Sequence, residues 1–272
     1  MELRLEGIGK RFKKEWVLKD IDLEVRGGEV VLLLGQNAAG KSTLLNILAT
    51  TFKPSSGKYT LNDIDVVRYP SKIRGRIAYV PEDPPLVPEL TADENLEFFA
   101  FLYGYRDGIT SLKKRFGIIY GSKKVRELSK GMKQRLSLAV SQMVKNPVLF
   151  LLDEPTNELD AETVEITKEL IEDASSRGII VFVASHDEGL LSVSTRVVIL
   201  EEGKKVFDEG VNEVLERRIV EIVVDGERKY VIAGELRDLK GYRIVNVLGI
   251  RESLGIGGDR HKDNVQAQRK TG

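Results

Sequence analysis

The chain has 272 residues, with 42 basic and 42 acidic side chains, so its whole-molecule field gives no reason to expect nucleic acid as a partner. It contains no cysteine, which excludes disulfides, thiolate metal sites and cysteine nucleophiles, and two histidines, His186 and His261, are too few for a polyhistidine metal cluster. The longest apolar runs, such as 148–152 and 179–184, fall far below the roughly 18 residues a membrane helix needs, and the opening MELRLE alternates charge where a leader would be apolar.

In chain order, 2–5 and 18–25 alternate polar and apolar residues and are expected as strands. After the turn Gly27-Gly28, residues 29–34 (EVVLLL) form a nearly continuous apolar run, the pattern of a strand buried on both faces. A glycine-flanked loop at 35–40 then leads into a helix from Lys41 to about Ala49. Short strands are expected over 57–81, ending in 76–80. A helix over 91–103 is announced by Thr91 with Glu94 three residues on. Residues 83–132 thus read as a mainly helical insertion. Ser129 caps a further helix running to about Lys145, and apolar strands at 148–152 and 178–184 flank a helix at 161–176. Alternating strands and helices imply an α/β core with a mainly parallel sheet, preceded by a small β subdomain.

Beyond about residue 215 the pattern changes. Strands at 219–224 and 228–232 around Asp225-Gly226 read as a hairpin in a small β-containing appendage over 216–254. The segment 255–272 has almost no apolar residues and is expected to be disordered.

The strongest chemical signal is GQNAAGKS at 35–42, followed by Thr43. It stands between a buried strand and a helix, the context a phosphate-binding loop requires. Gly35 and Gly40 let the backbone bend into an anion nest with Asn37, Ala38 and Ala39, at the positive end of the following helix. Lys41 is placed to reach the β- and γ-phosphates, and the Ser42 hydroxyl to ligate Mg2+. The second signal is the strand 148–152 ending in Asp153 and Glu154, at the edge where α/β sheets bind ligands. Asp153 is expected to hold magnesium and Glu154 to polarise the attacking water. Two adjacent acids on an extended chain would point to opposite sides and so take different roles.

With these residues in view, the chain resembles the ATPase subunits of ATP-binding-cassette transporters over about residues 2–212. LSKGM at 128–132 resembles that family's signature stretch. Asp153-Glu154-Pro155-Thr156 continues to Asp160, like the family's dimer-contacting loop, and Ser185-His186 resembles its switch histidine. The resemblance implies a phosphate-loop NTPase cassette at 1–215 in which two subunits pair head to tail around two ATP molecules. Each ATP would lie between one chain's Lys41 loop and the other's Ser129 and Gly131. His186 would bond the γ-phosphate or the attacking water, and Asp160 would orient the partner's site. An aromatic is expected on adenine; Phe12 fits best, with Trp16 the competitor. The implied cofactors are ATP and magnesium. The implied partners are an integral-membrane permease and a second ATPase, identical or related, with the chain cytoplasmic and held at the inner face of the membrane.

Three positions depart from the family's pattern. Ala38 stands where glycine is common; the outer glycines remain, so the nest is expected to form if Ala38 keeps negative φ. Lys130 and Met132 replace glycine and glutamine in the signature. Glu82 stands where the family usually has a glutamine that touches magnesium and the water, so Glu82 joins Ser42 and Asp153 as a metal ligand and serves in catalysis, with a stronger dependence on magnesium. Glu82, LSKGM and the appended C-terminal segment resemble the exporter branch that moves drugs, lipids, polysaccharide or ions. The loop 82–90 and helix 91–103, with Phe98, Phe99 and Phe101, are the candidate docking groove. The alternative is a non-transport ATPase of translation or DNA repair; such proteins carry two cassettes, a coiled coil or zinc-binding insertions, none of which this sequence offers.

Overall fold

In the structure, a computed structural model, residues 1–157, 159–185, 189–216, 219–224, 227–232 and 242–248 are described, those from 215 onward by backbone alone. Glu158, His186 and the segment 249–272, which holds the stretch expected to be disordered, lie outside the described residues, as does the Asp225-Gly226 turn. The chain divides into two compact units, Met1–Glu216 and Arg217–Gly272.

The larger unit opens with β1 (Glu2–Phe12) and β2 (Glu15–Arg26), a long antiparallel hairpin whose last pair is Phe12 with Glu15. β4 (Ser56–Leu61) and β5 (Ile64–Asp65) complete a four-stranded antiparallel sheet in the order β2-β1-β4-β5. Alternation in β2 turns Leu18, Ile21, Leu23 and Val25 inward and leaves charged residues in water.

The second sheet has six strands. Between β4 and this sheet's outermost strand lie β5 and a short helix, α2 (Ser71–Arg74), an element that four residues of mixed polarity do not announce. β3 (Val30–Leu34), β6 (Ile77–Val80), β7 (Leu149–Asp153), β8 (Ile180–Ala184) and β9 (Arg196–Glu201) run parallel, and β10 (Lys204–Gly210) closes one edge antiparallel to β9. The order is β10-β9-β3-β8-β7-β6. Every residue of β7 and β8 is buried, which is why both read as unbroken apolar runs. β9 and β10 are additions to the elements the sequence announces.

Helices cover this sheet. α1 (Lys41–Leu48) buries Leu44, Leu45, Ile47 and Leu48 in a core shared with β2, β3 and β7. Each such leucine contributes about 2 kcal/mol by leaving water. α3 (Ala92–Tyr103) starts from a capping box: Thr91 accepts from the Glu94 N–H, and Glu94 accepts from the Thr91 N–H. α4 (Ile109–Arg115) follows. α5 (Lys130–Ser141) is capped by Ser129 and stops four residues short of the expected Lys145. α6 (Ala161–Ser176) is capped by Asp160, and α7 (Val211–Glu216) ends the unit.

In the smaller unit β11 (Ile219–Val224) pairs antiparallel with β12 (Glu227–Ile232), as the hairpin pattern requires, and also with a third strand, β13 (Tyr242–Leu248).

Candidate nucleotide site

Strand register decides where the chemistry gathers. Leu33 of β3 pairs with Ala184 of β8, and Ala184 pairs with Asp153 of β7, so these three residues form one transverse row at the carboxyl edge of the sheet. The glycine-flanked loop leaves β3 two residues after Leu33, Ser185 follows Ala184 directly, and Glu154 follows Asp153. One strand further, Val80 of β6 pairs with Leu152, which brings the loop bearing Glu82 to the same edge. Four segments far apart in sequence therefore meet at the carboxyl edge of the parallel strands, where open α/β sheets bind ligands.

The loop has the backbone its glycines permit. Gly35 has φ +152 and its Cα lies against the Leu200 carbonyl oxygen, leaving no room for a Cβ. Gly40 has φ +105 at the N-cap of α1, where a Cβ would lie 2.6 Å from Leu18 and 3.1 Å from the Val17 oxygen. No side chain caps α1, so its first-turn N–H groups remain for an anion. Ala38 corrects an expectation: its φ is +66, not negative. The nest demands a left-handed residue there, and the methyl group accepts the strain, which costs about 1–2 kcal/mol.

Lys41 is 6% exposed. Its ammonium donates to the Gly35 oxygen at 2.7 Å and the Gln36 oxygen at 3.5 Å, and faces Glu154 Oε1 at 3.5 Å. The Ser42 hydroxyl donates to Asp153 Oδ1 at 3.1 Å. Asp153 is 3% exposed, and burial pushes its carboxyl up to about 6; the Ser42 hydrogen bond and Lys41 oppose that shift, while the charges of Glu154 and Glu82 add to it. Glu154 has φ +47 and its N–H donates to the Ala184 oxygen at 2.8 Å. The two acids thus part at a left-handed turn and not, as expected, by alternation along an extended chain.

The charges of Glu154 and Glu82 raise the proton affinity of Asp153, and a cation beside it would relieve that repulsion. Ser42 and Asp153 already share a contact, and both present hard oxygen atoms, the donor set magnesium takes. Among the described residues no three His, Cys, Asp or Glu side chains form a metal cage.

Phe12 and Trp16 both lie at the turn end of the β1–β2 hairpin and are about equally exposed. Phe12 meets Phe52 edge to face at 5.5 Å, and Lys10 lies 4.8 Å from its ring centroid; Trp16 is faced by Arg11 at 5.5 Å. Ser185, beside His186 in the sequence, is buried and donates its N–H to the Leu33 oxygen.

The signature stretch sits at the start of α5. The Ser129 hydroxyl accepts from the Met132 N–H at 3.3 Å, and Ser129 and Lys130 are exposed. Asp160 accepts the Thr163 N–H at 2.9 Å and Arg135 at 2.7 Å. Arg135 escaped the sequence reading, because an arginine inside an amphipathic helix looks like one more solvated charge. An open groove is lined by Thr50, Thr51, Arg74, Ile77, Tyr79 and Tyr103; of the segment 82–103 it includes only Tyr103. Of the aromatics on α3, Phe99 is buried against Phe98 and Tyr103, whereas Phe101 is 84% exposed.

The profile of the family described as "ABC transporter" matches residues 18–157. The ABC transporter ATP-binding protein NatA of Bacillus subtilis is 32% identical over 217 residues, covering 75% of this chain and 88% of that protein. The lipoprotein-releasing system ATP-binding protein LolD of Bacteroides thetaiotaomicron is 34% identical over 213 residues, covering 74% of this chain and 97% of that one. Among solved structures, the dimeric post-hydrolysis state of the ATP-binding cassette MJ0796, bound to ADP and Pi, superimposes with a TM-score of 0.69 at 28% identity, covering 77% of this chain and 98% of that one.

Proposed function

The chain belongs to the ABC transporter family, as one of its ATP-binding, ATP-hydrolysing subunits, and from that premise we propose that two copies close head to tail around two ATP molecules to drive a separate membrane permease. The observation that carries this reading is the convergence of Lys41, Ser42, Asp153 and Glu154 on one sheet edge.

In this reading the α1 N-terminus and the loop 35–40 take the triphosphate, and Lys41 exchanges its own loop oxygens for those of the β- and γ-phosphates. Ser42 and Asp153, with Glu82 nearby, hold magnesium, which supplies positive charge against the developing charge on the phosphate oxygens. Glu154, relieved of Lys41, orients the attacking water and takes its proton. His186, placed by the family pattern after β8, supports that water or the γ-phosphate. Ser129 and the N–H of Gly131 reach the γ-phosphate of the partner's nucleotide, so hydrolysis needs both chains. Phe12 stacks on adenine; Trp16 is the second choice.

The partner pair is two of these chains or this chain with a relative. Among the described residues no helix is long and apolar enough to cross a membrane. In this reading the chain meets the membrane through the permease, on its cytoplasmic face. Phe101 and the groove beside Tyr103 and Arg74 are the docking surface. The LSKGM turn and Glu82, with a relative named for releasing lipoproteins, favour an exporter, whose cargo is a drug, lipid, polysaccharide or ion. Co-purification tests the assembly: from detergent-solubilised membranes the tagged chain should bring down a polytopic membrane protein, and Phe101→Asp should release it while ATP hydrolysis by the free chain persists. Recovery of the chain without any membrane partner, or with a ribosome or DNA, would overturn the transport assignment.

A further inference from the structure

Arg135, on α5, makes three side-chain hydrogen bonds. Its Nε donates to the Thr163 hydroxyl at 2.7 Å, and its Nη2 donates to Asp160 Oδ1 at 2.7 Å and Glu162 Oε2 at 2.8 Å. The side chain is 13% exposed although both carboxylates it meets are in water. An arginine at a site of this kind is fixed by its planar fork, because one guanidinium satisfies several acceptors in set directions.

Position on the helix gives these contacts a meaning. Arg135 stands four residues after Gly131, so both lie on one face of α5. That face meets the loop ending at Asp160: a Cβ on Gly131 would lie 3.4 Å from Asp160 Oδ2 and 3.8 Å from Leu159. Asp160 Oδ2 thus lies where a side chain on Gly131 would meet it, while Oδ1 accepts from Arg135. Asp160 also caps α6 through the Thr163 N–H, and that cap with Arg135 holds its carboxyl below the usual range. Arg135, Asp160 and Thr163 form one hydrogen-bonded set that ties α5 to the start of α6, with Gly131 of the signature turn beside it.

We infer that Arg135 is a positioning residue that locks the signature turn to the Asp160 loop, so that one chain presents both to its partner's ATP as a single rigid block. The inference rests on the head-to-tail reading above. It places the effect of Arg135 at the partner's nucleotide and not at the nucleotide held by its own chain, since Lys41, Ser42, Asp153 and Glu154 are not among its contacts.

Dimers assembled from two differently tagged chains separate these cases. A chain carrying Arg135→Ala, paired with a chain carrying Lys41→Ala, keeps one site with an intact loop and an intact signature face; it should hydrolyse ATP as fast as wild type paired with Lys41→Ala. When both substitutions lie on one chain and the other is wild type, the surviving site faces the altered signature, and kcat should fall about tenfold to a hundredfold, the range for a misplacement near 1 Å. Uptake of N-methylanthraniloyl-ATP by the single Arg135→Ala chain should match wild type. Arg135→Lys, which reaches one carboxylate but not all three acceptors, should restore part of the rate, and it replaces the alanine variant throughout if that variant unfolds. Equal loss in both arrangements, or loss in neither, would overturn the inference. Should Glu154→Gln fail to dimerise with ATP, the head-to-tail reading beneath it falls instead.

Discussion

The ammonium of Lys41 and the carboxylate of Glu154 lie 3.5 Å apart with both side chains buried, so the residue proposed to grip phosphate and the residue proposed to activate water neutralise each other before substrate arrives. Breaking a buried pair leaves a charge without compensation. Lys41→Ala should therefore lower the unfolding free energy by about 3 kcal/mol, read by denaturant titration without nucleotide, in addition to abolishing ATP uptake. Unchanged stability would mean that Glu154 finds other support.

Asp153 should make the nucleotide-free protein less stable as pH rises. Its carboxyl is pushed by burial from 3.8 to about 6, so the folded state binds the proton more tightly than the unfolded chain. The stability this contributes is present below the unfolded value and lost as pH rises through about 6. Asp153→Asn, which cannot ionise, should be more stable than wild type by about 1–3 kcal/mol at pH 7.5 without magnesium, and the difference should vanish at pH 3.5. Thermal scans across this range check it. An advantage that does not change with pH would refute the assignment.

Glu82 adds negative charge to the same edge and raises Asp153 with it. A cation should relieve that repulsion, so wild-type hydrolysis should depend more steeply on magnesium than hydrolysis by Glu82→Gln. Superimposable magnesium titrations would remove Glu82 from the metal site.

Ala38 tests the shape of the phosphate nest. At φ +66 glycine fits without strain. Ala38→Gly should keep full ATP affinity. Ala38→Val places a branched side chain where branching is least tolerated, and should weaken binding at least about tenfold. Isothermal titration with ATP and magnesium distinguishes them.

Much of this was written locally. The loop 35–42 is legible because an apolar strand, two glycines and a lysine sit within a dozen residues, and Thr91 and Ser129 announce their helices through caps that involve only the next turn. What escaped depends on distance or on conformation. β9 has only the run VVIL to mark it, which suits a buried helix turn as well as a strand, and its pairing with β3 spans some 165 residues. β10, a polar edge strand, carries two buried or half-buried apolar residues, Val206 and Phe207, between charges. The left-handed φ of Ala38 and Glu154 is imposed by the bend around the site, because neither residue type asks for it. Arg135 and Asp160 are 25 residues apart and each looks like ordinary surface charge until α5 and α6 bring them together.

The head-to-tail site is tested most directly by sedimentation of Glu154→Gln with and without ATP and magnesium. Binding should survive while hydrolysis stops, so nucleotide should convert the variant from monomer to a stable dimer that Lys41→Ala in the same chain prevents. A Glu154→Gln chain that takes up ATP and still sediments as a monomer would contradict a site shared between two subunits.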